Sequence, residues 1–191
     1  MTRAAAALLL LACAGRSAAE SPDLSGVWTL NRGLSQDIKE KIKLAAGSAS
    51  MSGSVSWATE TWIPWTGGMS EGQRVEMREF LLATVPAFDQ VEIEQTADEV
   101  KTIHGESGVR LFNLKRSTSG SSALGGQTVT RHARWEGTQL VLESKGKEGR
   151  FLELLTLVPS RNQLTYALRL EHKLLKAPLE VSLAYDRAET R

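Results

Sequence analysis

Toward its C-terminal end the chain alternates apolar and polar residues with a period of two. Leu164, Tyr166, Leu168 and Leu170 interleave with Thr165, Ala167, Arg169 and Glu171, and Leu179, Val181, Leu183 and Tyr185 interleave with Glu180, Ser182, Ala184 and Asp186. Successive side chains of an extended strand point to opposite faces, so each run puts its apolar set on one side of a sheet. Similar runs recur from Phe88 onward about every eight to twelve residues with turn residues between them, the spacing of an all-β barrel or sandwich. They cover residues 91–94, 100–104, 109–115, 128–135, 140–144, 151–158, 164–171 and 179–187. A short run at Gly26, Val27 and Trp28 adds one more strand. Consecutive strands joined by short turns are antiparallel, and closing them into a barrel removes the edges that invite aggregation. The expected fold is therefore mainly β, an antiparallel up-and-down barrel of eight to nine strands.

Two stretches depart from the β pattern. Residues 117–127 are rich in Ser and Gly and read as a flexible loop, because they bring too little apolar surface to offset the entropy of ordering them. Residues 33–87 read as a helical insert between the first and second strands. Within it, residues 37–46 carry Ile38, Ile42 and Ala45 on one helical face, and a stronger helix opens at Ser70, which with Gln73 forms a capping box. That helix presents Met77, Phe80, Leu81 and Thr84 at helical spacing until Pro86 stops it. Between the helices lie Trp57, Trp62 and Trp65, which serve either to pack a lid onto the barrel or to face a ligand or membrane.

The first residues follow the order of a secretory signal: Arg3, an apolar run from Ala4 to Ala12, then small residues. Cleavage after Ala19 would start the mature chain at Glu20 and leave one domain over residues 20–191. The alternative is a lipobox at Leu10, Leu11, Ala12 and Cys13, with Cys13 as the lipidated residue and the only membrane attachment expected. Export, to the periplasm or beyond, is expected either way. Cys13 is the sole cysteine, so the chain cannot form an internal disulfide and its stability must come from a core. Removing Arg3 and Arg16 from the 23 basic residues leaves 21 against 22 acidic ones, a net charge of minus one without a basic run, which argues against nucleic acid as a partner.

The chain carries no recognisable catalytic or cofactor signature. His104, His132 and His172 lie 28 and 40 residues apart with no paired ligand spacing, so no metal is assigned. Ser121 and Ser122 sit in no Gly-x-Ser-x-Gly elbow, and Gly146 to Gly149 lacks the spacing of a phosphate-binding loop. Two charges stand out instead. Parity groups Arg131 with Val129, Ala133 and Trp135, and Glu153 with Phe151, Leu155 and Leu157, which turns both inward. They form either a structural ion pair or a polar anchor for the head group of a ligand.

The strand Ser25-Gly26-Val27-Trp28-Thr29-Leu30-Asn31, followed by an antiparallel meander, resembles the lipocalin and wider calycin pattern. That resemblance implies that Trp28 lies at the closed end of a barrel with a basic residue from the far end of the chain across it, here Arg187, and that Gly26 has a structural role. The chain is also similar to exported bacterial proteins with a Gly-x-Trp first strand and hairpins like its own Ala133-Arg134-Trp135-Glu136-Gly137-Thr138-Gln139-Leu140-Val141. The functional expectation is a non-enzymatic barrel that binds a small apolar or amphipathic molecule through Arg131, Glu153 and the insert residues Trp57, Trp62 and Trp65. The alternative is a cell-envelope interaction module whose barrel is packed and holds no ligand.

Overall fold

A computed structural model describes residues 21–48, 54–55, 62–63, 70–85, 89–105, 108–121, 128–147, 149–173 and 175–188. The sheet strands are β1 (Gly26–Leu30), β4 (Gln90–Gln95), β5 (Glu99–Ile103), β6 (Val109–Asn113), β7 (Thr118–Ser121), β8 (Thr128–Glu136), β9 (Gln139–Lys145), β10 (Gly149–Val158), β11 (Gln163–His172) and β12 (Leu179–Arg187). Between β1 and β4 come α1 (Ile38–Ser48), the two-residue strands β2 (Ser54–Val55) and β3 (Trp62–Ile63), which pair with each other, and α2 (Glu71–Thr84).

The ten sheet strands run in the order β6-β5-β4-β1-β12-β11-β10-β9-β8-β7, every pair antiparallel. The sheet curls until β6 lies beside β8, with no ladder between them, so the barrel is nearly closed. The expected count of eight to nine strands becomes ten because residues 117–127 are not wholly loop. Thr118 to Ser121 pair with Thr128 to Arg131. A ladder is made by backbone groups, so a Ser/Gly segment can join a sheet whose neighbouring strand is already in place.

Local chemistry fixes the connections. The β8–β9 hairpin turns between Glu136 and Gln139, where Gly137 takes φ +63, a left-handed conformation open to a residue without Cβ. At α2, Ser70 accepts a bond from the Gln73 backbone while the Gln73 side chain reaches back to the Ser70 N–H, so the expected capping box is present.

Beyond Leu30 the chain continues beside β12, with Asn31 and Gln36 donating to the carbonyls of Ala184 and Ser182. It therefore enters the helices toward the start of β12. There Phe80 of α2 stacks on His172 at the end of β11, with ring centroids 5.0 Å apart. Ile38, Ile42 and Ala46 of α1 and Met77 and Leu81 of α2 join Leu168, Leu170, Leu179 and Val181 in one core. At the far end of β12, Trp28 pairs with Arg187 across the β1–β12 ladder. The Arg187 guanidinium lies 4.5 Å from the indole ring centroid, and Trp28 Nε1 donates to the Leu24 carbonyl at 2.9 Å. Gly26, at φ +132, leaves the approach clear, since a Cβ there would come within 3.4 Å of Arg187 Nη1.

Trp28 is completely buried, so Trp28→Ala leaves a large cavity and should destabilise the fold by about 3 to 5 kcal/mol. Urea unfolding of the variant provides the measurement. A loss below about 1 kcal/mol would mean that the indole does not anchor this end.

Candidate functional site

The site begins with a buried acid. On β10, Phe151, Glu153 and Leu155 share the inward face, and Glu153 lies between Leu142 of β9 and Leu168 of β11 in register. Its side chain is 0% exposed. A lone buried carboxylate would be prohibitively costly, so the surrounding strands must supply donors. Arg110 of β6 does so with a two-pronged contact, Nη1 to Oε2 and Nη2 to Oε1, both 2.8 Å. The Tyr166 hydroxyl of β11 donates to Oε1. Tyr185 of β12 packs edge-on against Tyr166, with centroids 6.0 Å apart.

On the far side of Arg110 the network reaches His104, which follows β5. Arg110 Nη2 lies 2.5 Å from His104 Nε2, and Thr102 Oγ1 lies 3.1 Å from the same nitrogen. A guanidinium can only donate, so Nε2 must be the bare nitrogen and the ring proton belongs on Nδ1. The Arg110 guanidinium also lies over the Phe151 ring at 5.6 Å, an added cation–π contact.

These contacts fix the protonation states. Burial, reinforced by the Arg110 charge, pushes His104 down from 6.5 to about 2, so the ring is neutral. Burial, and then the Glu153 carboxylate, hold Tyr166 and Tyr185 above the ordinary phenol value, so both keep their protons. For Arg110 burial is the largest influence and acts downward, but Glu153 and Tyr166 outweigh it and the guanidinium stays above its usual value.

Arg131 of β8 falls in register with Ser144 and through it with Phe151, on the same inward set. Burial first, and then repulsion from Arg110, lower its pKa, while Glu153 acts in the opposite direction. Its guanidinium occupies the space left by Gly120 of β7, where a Cβ would come within 2.5 Å of Nη1. Arg131 and Glu153 thus lie in one electrostatic neighbourhood, and the two-pronged partner of the carboxylate is Arg110.

Arg110, Tyr166 and Thr102 are assigned no role by the sequence alone, and His104 enters only as one of three histidines without ligand spacing. Tyr166 is legible as an inward residue, since it shares a strand face with Leu164 and Leu168. Arg110 is not, because β6 inverts the usual pattern: Val109 and Leu111 are exposed, while Arg110 and Phe112 turn inward.

Other expected residues lie elsewhere. Trp57, Trp65 and Cys13 fall outside the described residues, as does the segment 1–19, and for Trp62 only the backbone pairing with Val55 in β3 is described. His132 is on β8 and His172 stacks on Phe80, so the three histidines are dispersed, and no group of three His, Cys, Asp or Glu side chains that could hold a metal occurs among the described residues.

No protein-family model and no curated sequence matches the chain. Solved structures do. The chain is similar to a variant of the REP1-NXSQ fatty acid transporter, at TM-score 0.50 and 15% identity over 87% of this chain and 98% of that one. It is also similar to human cRBP IV, at TM-score 0.48 and 17% identity over 88% and 100% of the two chains. A zebrafish ileal bile acid-binding protein complexed with cholic acid follows, at TM-score 0.48 and 12% identity over 86% and 98%. Identities this low establish the fold alone: a lipocalin- or calycin-like barrel.

Because Glu153 is sealed from water, removing either partner leaves a buried charge exposed to its full desolvation cost. Glu153→Ala and Arg110→Ala should each destabilise by about 3 to 5 kcal/mol. The double variant should lose much less than their sum. Denaturant unfolding of all three tests this; strictly additive losses would show that the two groups do not act as a pair.

The depressed pKa of His104 gives a second expectation. The folded state resists protonating this ring, so its contribution is complete above pH 6.5 and is lost as pH falls from 6.5 toward about 2. The slope should approach about 1.4 kcal/mol per pH unit. Stability measured at pH 7 and pH 5.5 should fall less in His104→Gln than in the parent, and identical slopes would refute the assignment.

Proposed function

We propose that this chain is an exported, non-enzymatic barrel that binds a small amphipathic molecule, with an acidic head group against Arg131 and an apolar body among the side chains at the helix-covered end. The observation that carries this reading is a half-buried cation on the inward face: Arg131 lies in register through Ser144 with Phe151 and feels the charges of both Arg110 and Glu153. Arg110 is committed to Glu153 and Tyr166, and its charge disfavours that of Arg131. An anionic head group would relieve that repulsion and gain a charge-assisted hydrogen bond. Phe151 and Val129, close to Arg131 along the sheet, supply apolar surface and keep slight exposure, unlike the sealed residues around Glu153. Glu153 then acts through Arg110, holding it away from the ligand. The likeness of the fold to a fatty acid transporter is in keeping with such a ligand.

A second reading is a cell-envelope interaction module with a packed barrel. It draws on the burial around Glu153, where Leu142, Leu155, Tyr166 and Tyr185 are almost completely sealed from solvent. Native mass spectrometry of protein from its own host, followed by titration of stripped protein with dodecanoate and dodecanol, separates the two. Saturable dodecanoate binding is expected, weakened about tenfold or more by Arg131→Gln, the loss of one hydrogen bond to a charged group. Dodecanol binding should be indifferent to that change. Exclusively apo protein from the host, together with no saturable binding of either compound, would favour the packed module.

A further inference from the structure

The outer face of the same sheet carries a second concavity that the interior reading does not use. Thr128, Thr130 and His132 point outward from β8, alternating with the inward Val129, Arg131 and Ala133, and Lys145 lies opposite Thr130 in register. With Ser117 before β7 and Lys147 in the β9–β10 turn, they line a cavity of about 580 Å³. Its floor is the sheet, so it does not communicate with the polar network through the strands. The size falls within the range of small-molecule sites.

Among the described residues its charge is unbalanced. Glu143, opposite His132, also lines the cavity, but its carboxylate is met from both sides, by Arg134 Nη1 at 3.5 Å and Arg150 Nε at 3.4 Å. Arg150 and Arg134 offset its charge locally, Arg134 being shared with Glu136 at 2.7 Å. Lys145 and Lys147 are exposed and have no ion pair among the described residues. His132 adds a donor or acceptor: its Nδ1 is buried and without a hydrogen-bond partner among the described residues. A buried polar atom left unpaired is costly, and a ligand atom would remove that cost.

We infer that this groove is a second binding site, for a phosphorylated polyol such as a hexose phosphate. The two ammonium groups are compact point charges suited to phosphate oxygens. The hydroxyls of Ser117, Thr128 and Thr130 can donate to the same oxygens or accept from sugar hydroxyls. Glu143, held by its two arginines, presents carboxylate oxygens that a sugar hydroxyl can donate to. The cavity is several times larger than an inorganic anion requires, and among the described residues its lining has no Phe, Tyr or Trp side chain, which favours a hydroxylated body over an apolar one.

The test is an amide-resolved NMR titration of the full chain with glucose 6-phosphate, glucose and inorganic phosphate, repeated at raised salt. Glucose 6-phosphate should shift Thr128, Thr130, Lys145 and Gly146 saturably, bind more tightly than either fragment, and weaken as ionic strength rises. Lys145→Gln with Lys147→Gln should weaken it by about tenfold or more, the order expected for removing charges close to a phosphate. Both lysines are exposed, so the variant should fold, and its unshifted interior amides would verify that. Absence of saturable shifts, equal binding of glucose or of inorganic phosphate, or full affinity in the double variant would each overturn the assignment. Interior ligand binding stays measurable in the same variant with dodecanoate, which keeps the two sites distinguishable.

Discussion

The ion pair between Arg110 and Glu153 is the constraint around which this barrel is organised. In sheet order β6 and β10 are far apart, yet these two side chains meet with two bonds of 2.8 Å. They can do so only because the sheet has curled and brought β6 round to β8. The seam between β6 and β8 has no backbone ladder, so the pair acts as a strut across the lumen where hydrogen bonds between strands are missing. A buried ion pair contributes little net stability relative to well-packed apolar groups, but a state in which β6 separates would leave the buried carboxylate with Tyr166 and no countercharge from Arg110. The strut therefore selects the closed arrangement more than it stabilises the chain as a whole.

The other end of the barrel is fixed by different means. Trp28 and Arg187 join the first and last sheet strands through a ladder and a cation–π contact, and the indole N–H is satisfied by Leu24. The helices cover the region near the start of β12, where Leu81 and Ile42 enter the core and Phe80 meets His172. One end thus rests on backbone pairing and aromatic burial. The seam rests on charge.

Much of this fold was legible because it is written in local periodicity. The alternation through Leu164 to Leu170 and Leu179 to Tyr185 specifies which side of each strand is buried, and Ser70 with Gln73 specifies where α2 begins. The strand Thr118 to Ser121 was not legible, since its residues carry no apolar alternation and its place depends on β8. Arg110 was hidden for a related reason. With apolar Val109 and Leu111 on one face of β6 and Arg110 and Phe112 on the other, residue types alone favour the wrong side. Only the requirement that Glu153 find a cation across the lumen decides which set turns in, and that requirement appears once strands distant in sequence are brought together. Arg131 and Glu153 could be placed on the inward face by parity, but their partners depend on which strands oppose each other across the lumen.

The protonation states of the polar core bear on what kind of activity it can support. A general acid or base works best when its pKa lies near the working pH. His104 is driven to about 2 by burial, Tyr166 is pushed well above the phenol range, and Glu153 has its oxygens occupied by Arg110 and Tyr166. His104 and Tyr166 are each held in one protonation state, and all three groups are enclosed and bonded to their neighbours. Such an arrangement holds charge still. Arg131 differs in being half-buried, with its charge opposed by Arg110 and favoured by Glu153.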